Sequence, residues 1–149
     1  MKISGILETC LYATDLQRAA NFYTKLPGLQ LIANEDGRHL FFKCGKTMLL
    51  IFNPDHTSSE QTDMGGDIIP LHGSRGAGHV AFSVKDDEIS LWREFLKDQQ
   101  IPIESEVNWP NGSVSLYFRD PAGNSLEVVS PKIWKRKTMD SSSTDQNHV

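Results

Sequence analysis

The chain has 149 residues, 38% of them apolar and 23% charged, with 15 Lys and Arg against 19 Asp and Glu for a net charge of −4. That composition supports one compact domain with a real core and excludes a disordered chain, and the acidic balance speaks against recruitment to nucleic acid or to an anionic membrane by overall charge. No apolar run approaches the roughly 20 residues that span a bilayer, Met1 to Thr9 has no signal-peptide pattern, and two cysteines, Cys10 and Cys44, make no disulfide framework, so a cytoplasmic protein is expected.

The first predicted element is a strand, Glu8-Thr9-Cys10-Leu11-Tyr12-Ala13-Thr14-Asp15, ending in an Asp that can cap a helix. An amphipathic helix follows, with Leu16, Ala19, Ala20, Tyr23 and Leu26 on one face and Pro27-Gly28 as its stop. Three strand candidates come next, Leu29–Asn34, Arg38–Cys44 and Thr47–Asn53, divided by the turn sequences Glu35-Asp36-Gly37 and Cys44-Gly45-Lys46. Pro54–Gly78 has no sustained periodicity, is rich in Ser, Thr, Asp and Gly, and reads as a long functional loop or linker.

The order then repeats. His79-Val80-Ala81-Phe82-Ser83-Val84-Lys85-Asp86 has the shape of the first strand 71 residues later, again with a metal-ligand type at its start and an Asp seven positions on. A second helix is marked by Ile89, Trp92, Phe95 and Leu96 and ends near Gln100. Strands at Ile101–Val107, Ser113–Arg119 and Ser125–Ser130 follow, with turns at Pro110-Asn111-Gly112 and Asp120-Pro121-Ala122-Gly123. The predicted organisation is α+β: a first βαβββ module over residues 5–54, a connector over 55–77, a second module over 78–131 and a polar, disordered tail over 132–149 whose basic start is a solvated run. Each module is too small to bury much alone.

Three stretches resemble the vicinal oxygen chelate superfamily, which includes glyoxalase I, fosfomycin-resistance proteins, extradiol dioxygenases and bleomycin-resistance proteins. They are Glu8 to Leu16 with Asn21-Phe22-Tyr23 and Gly28-Leu29, similar to the start of glyoxalase I; Gly78-His79-Val80-Ala81-Phe82; and Tyr117-Phe118-Arg119-Asp120-Pro121-Ala122-Gly123-Asn124-Ser125-Leu126-Glu127. The resemblance implies two βαβββ modules forming a curved mixed sheet around a metal-binding cavity. It implies Glu8, His79 and Glu127 as ligands of a divalent ion (Fe, Mn, Ni or Zn), and a homodimer in which Glu8 of one chain completes a site with His79 and Glu127 of the other. The fourth family ligand position is expected at Leu49, found by laying the Gly45 turn on the Gly123 turn; leucine cannot bind metal.

Two carboxylates and an imidazole suit such an ion and leave positions open for a substrate that binds through neighbouring oxygens. Each residue also has a plainer role: Glu8 as an exposed strand carboxylate, His79 as a hydrogen-bonded core histidine, Tyr117 as a core or rim aromatic. Glu8, Glu127 and Tyr117 are the expected catalytic residues, with Glu8 able to detach and act as base. Cys10, Tyr12 and Trp109 are the expected substrate-pocket residues, while His72 and Arg75 are expected to be solvated. The expected function is a metal-dependent enzyme of the glyoxalase or dioxygenase type on a small molecule. The alternative is a non-catalytic binding module of the bleomycin-resistance type. Neither nucleic acid nor membrane is an expected partner.

Overall fold

A computed structural model describes residues 1–135. The element order is β1 (Glu8–Tyr12), α1 (Leu16–Tyr23), β2 (Leu29–Glu35), β3 (His39–Cys44), β4 (Thr47–Phe52), α2 (Pro54–Thr57), β5 (Thr62–Asp63), β6 (Ile68–Ile69), β7 (His79–Ser83), α3 (Ile89–Asp98), β8 (Ile103–Asn108), β9 (Val114–Arg119) and β10 (Ser125–Val129). Strand–helix–strand–strand–strand thus occurs twice. The sheets have matching orders, β1-β4-β3-β2 and β7-β10-β9-β8, each with one parallel pair between its first and last strands.

Local chemistry sets the helix ends. The Asp15 side chain accepts from Arg18 N at 2.9 Å and caps α1. The helix stops at Tyr23, before Pro27-Gly28: the next turns tighten to three-residue spacing, with Lys25 N donating to Phe22 O and Leu26 N to Tyr23 O. Leu26, expected on the helix, is buried in this tail. The parallel expectation for Asp86 is corrected. Asp86 lies inside a 3-10 turn, Asp86–Glu88, and the Glu88 side chain accepts from Lys85 N ahead of α3. Gln100, at φ 56°, takes the left-handed position after α3. Pro102, which has no N–H to give, delays β8 to Ile103.

The connector is not a plain loop. It carries α2, capped by Asn53, and the two-residue pairing of β5 with β6. Arg38 of the first module reaches it through Thr62 and Glu60. The tail read from residue 132 begins in structure: Pro131–Trp134 forms a 3-10 turn, and the Asn111 amide donates to the Lys132 and Ile133 carbonyls. Residues 136–149 lie outside the described residues.

One face of each sheet packs on its helix. Leu11, Leu40, Phe42, Leu49 and Ile51 meet Leu16, Ala19 and Tyr23 of α1, and Leu116, Phe118, Leu126 and Val128 meet Ile89 and Leu96 of α3, all in one continuous core. The modules therefore share the burial that neither supplies alone. A buried polar network crosses between them. Tyr23 Oη donates to Asp120 Oδ2 at 2.7 Å, and Asn124 Nδ2 donates both to Asp120 Oδ2 at 2.8 Å and to the Tyr12 carbonyl at 3.1 Å. Asn124 Oδ1 accepts from Gly78 N at 2.8 Å, immediately before His79. A Cβ at Gly78 would lie 2.8 Å from Leu11 Cδ2 and 3.2 Å from Asn124 Oδ1, so the two modules meet there only over glycine.

Burial, then the charge of Asp120, pushes the Tyr23 phenol far above its ordinary range. Tyr23→Phe removes one of the two side-chain donors on Asp120 Oδ2 and is expected to cost about 1–2 kcal/mol in urea unfolding. The unfolded chain ionises Tyr23 near pH 10 while the folded chain keeps it neutral. Its stabilising contribution is therefore complete below pH 10 and is lost as pH rises beyond it, so the gap between wild type and Tyr23→Phe should hold up to that pH and narrow above.

Candidate functional site

The sheet faces turned away from the helices carry the polar side chains. Residues paired across strands share a face. In the first module Glu8 pairs with Met48, Cys10 with Leu50 and Tyr12 with Phe52. In the second His79 pairs with Ser125, Ala81 with Glu127 and Ser83 with Val129, while Tyr117 lies opposite Glu127 and Ser115 opposite Val129. Glu8, Cys10 and Tyr12, and separately His79, Ala81, Ser83, Tyr117 and Glu127, thus share faces as alternation predicts.

His79 and Glu127 come together. His79 Nδ1 lies 3.1 Å from the Ser125 carbonyl, which can only accept, so Nδ1 carries the proton and Nε2 offers its lone pair. Nε2 faces Glu127 Oε2 at 3.4 Å. Two electron-pair donors facing each other call for a proton or a cation between them. Ligands held about 2.0–2.2 Å from one divalent ion sit at about this spacing. Glu127 is 5% exposed and its Oε1 accepts from the Ser115 hydroxyl, so only Oε2 is left toward the histidine. Tyr117 lies beside them, its ring stacked on His79 at 6.2 Å and 28°. Burial first, then the Glu127 carboxylate, raises its phenol, so Tyr117 holds its proton.

Glu8 does not join that pair within the chain. It lies four residues along β1 from Tyr12, about 13 Å of strand, and Tyr12 is the end of β1 tied to Asn124. Among the described residues no group of three His, Cys, Asp or Glu is close enough to hold one ion. Glu8 and His79 instead line one cavity of about 840 Å³ between the modules, together with Ile6, Met48, Phe82 and Trp134.

The other expected residues divide. Cys10 is exposed beside Glu8, and burial, then the Glu8 charge, raises its thiol, which keeps it protonated. Tyr12 is engaged, its hydroxyl 2.9 Å from His72 Nδ1. The solvated reading of His72 is thus corrected: the connector folds back, with His72 N donating to Thr57 O, and sets the imidazole edge-on to Phe52 at 4.6 Å. Arg75 does stay exposed, paired with Asp55. Trp109 does not line that cavity; it is half-buried, and its Nε1 donates to Ser115 Oγ at 2.8 Å. Ser115 escaped the sequence reading although it lies two residues before Tyr117, on the same strand face.

A family model described as the Glyoxalase/Bleomycin resistance protein/Dioxygenase superfamily matches residues 5–128. The chain belongs to this superfamily. Lactoylglutathione lyase from Agrobacterium tumefaciens is similar at 42% identity and a TM-score of 0.84, covering 91% of this chain and 100% of its own. Metallothiol transferase FosB of Staphylococcus saprophyticus is 24% identical over 128 residues, 85% of this chain and 76% of its own length. Fosfomycin resistance protein FosX from Listeria monocytogenes, complexed with Mn(II) and sulfate, shares the fold at 20% identity and a TM-score of 0.62, covering 87% of this chain and 91% of its own.

The register of the two modules also places the position that the resemblance sets at Leu49, and here laying one turn on the other slips by one. Glu8 pairs with Met48 and His79 with Ser125, so Met48 matches Ser125 and Leu50, not Leu49, matches Glu127. The turns differ in length: β3 and β4 are joined by Gly45-Lys46 alone, β9 and β10 by the five residues Asp120–Asn124. Laying glycine on glycine therefore shifts the strand by one residue, which moves every side chain to the other face. Leu49 belongs to the helix-side core and Leu50 to the polar-bearing face. Either way the position is aliphatic. Leu49→Glu should then bury a charge in the core and cost several kcal/mol. Leu50 is itself 5% exposed, so Leu50→Glu should also cost stability, but less than Leu49→Glu in thermal unfolding because its side chain lies on the polar-bearing face.

Proposed function

We propose that the chain is a divalent-metal-dependent enzyme of the glyoxalase type, with Glu8, His79 and Glu127 as protein ligands and a small substrate that chelates through neighbouring oxygens. The observation that carries this reading is the facing pair His79 Nε2 and Glu127 Oε2, each held by a protein contact on its other donor atom. The likeness to lactoylglutathione lyase from Agrobacterium tumefaciens supports the lyase branch. The Mn(II) named with the Listeria FosX supports the class of ion; Fe, Ni and Zn suit the same donors. A bound divalent ion would polarise the chelating substrate oxygens as a Lewis acid.

The chain's own residues do the rest. His79 and Glu127 orient one side of the site, Tyr117 offers a proton at its edge, and the raised Cys10 thiol stays protonated. The exposed Glu8 is the one carboxylate free to exchange between ligand and base, because Leu50 leaves the matching place in the first module without one. Since Glu8 stands apart from His79 and Glu127 in one chain, we assign it to the site of a second chain, in a symmetric dimer.

Leu50 also favours a second reading, a non-catalytic binding module, since an aliphatic face with one carboxylate fewer has less proton-transfer capacity. Turnover decides between them. Chelator-stripped protein should take up one Mn(II), Ni(II), Zn(II) or Fe(II) per chain and then convert a hemithioacetal, with Glu8→Ala, His79→Ala and Glu127→Ala each losing at least about 100-fold in kcat/KM. Uptake of an ion with no turnover of hemithioacetal, catechol or fosfomycin would favour the binding module. No uptake of any of them would overturn the metal reading.

A further inference from the structure

The hydrogen bonds behind Glu127 run in one direction. An indole N–H can only donate, so Trp109 Nε1 fills an acceptor site on Ser115 Oγ at 2.8 Å. The one proton of that hydroxyl is then left for Glu127 Oε1, which can only accept when ionised. Ser115 is 0% exposed and Glu127 5%, so solvent offers neither an easy alternative. The base of the indole is itself fixed. Trp109 N donates to Ser113 O at 2.9 Å and Gly112 N to Trp109 O at 2.8 Å, closing the turn between β8 and β9. Asn111, in the same turn, accepts from Ser113 N and anchors the 3-10 turn at Pro131–Trp134.

We propose that Trp109 is a positioning residue for the divalent-ion site. Through Ser115 it holds Glu127 with Oε1 engaged and Oε2 alone facing His79 Nε2. Glu127 is thereby a single-oxygen ligand, and the coordination places a second oxygen would take stay open for substrate. A carboxylate released from Ser115 can turn and present both oxygens. The inference rests on the metal reading above, and its test separates the two.

Mn(II) binding to stripped protein, followed by electron paramagnetic resonance of the free ion, is measured for wild type, Trp109→Phe, Ser115→Ala and the double variant. Trp109→Phe should weaken binding about tenfold and Ser115→Ala at least as much. The double variant should bind like Ser115→Ala alone, because Trp109 acts only through the hydroxyl. Unchanged affinity in Trp109→Phe, or a Trp109 loss that adds in full to that of Ser115→Ala, overturns the proposal and assigns the ring to packing. A wild type that binds no Mn(II) overturns the metal reading, and this one with it. A second measurement needs no variant to fold: the Trp109 indole ¹⁵N–¹H resonance of wild type should move when diamagnetic Zn(II) binds. An unmoved resonance with Zn(II) bound overturns the relay.

Discussion

The buried carboxylate of Asp120 and the amide of Asn124 hold the two modules in one arrangement. Asp120 receives Tyr23 from α1 and the Asn124 amide, and its other oxygen accepts from the Ala122 and Asn124 backbone at 2.9 and 2.8 Å. Asn124 then reaches the Tyr12 carbonyl on one side and Gly78 N on the other. A charge this deep is tolerable only with such a set of donors. The donors on Asp120 come from the end of α1 and from the β9–β10 loop, and Gly78 N, just before β7, donates to Asn124. Loss of any one leaves an acceptor on Asp120 or Asn124 short of a hydrogen bond.

That network fixes where the proposed site sits. It pins the Tyr12 end of β1 against the residue before His79, while β10 leaves the same loop toward Glu127. His79 and Glu127 therefore lie beside the tie between the modules, His79 half exposed and Glu127 buried. Glu8, at the other end of β1, lines the cavity between the modules. The sheet edges β1 and β7 have no strand partner on their outer sides among the described residues. An exposed carboxylate on one such edge and a paired histidine and carboxylate by the other are the halves of a site that two copies complete on the proposed reading.

Much of this was legible in the sequence, for physical reasons. The period-two strands, the Asp15 cap and the turn residues report local backbone chemistry, and the two-module order follows from them. His79 and Glu127 stood out through the resemblance, and Glu127 also because a charge within Leu126-Glu127-Val128-Val129 is costly unless it is paired. Distance in the chain hid the rest. Nothing local distinguishes Asp120 and Asn124 as a tie between modules, although a fully buried Tyr23 must find an acceptor somewhere. Leu49 stood in for Leu50 because the two β-turns differ in length, and glycines mark turns without measuring them. His72 and Trp109 read as loop and rim residues because their partners, Tyr12 and Ser115, are side chains whose contacts depend on tertiary folding.

The shared site is tested most directly by mixing two defective proteins. Glu8→Ala and His79→Ala should each bind Mn(II) poorly alone. Unfolded together and refolded, they should regain about a quarter of the wild-type high-affinity sites, because each mixed dimer has one site with both residues intact. Equal-part mixtures that regain none, or a Glu8→Ala protein that binds Mn(II) as wild type does, would contradict it.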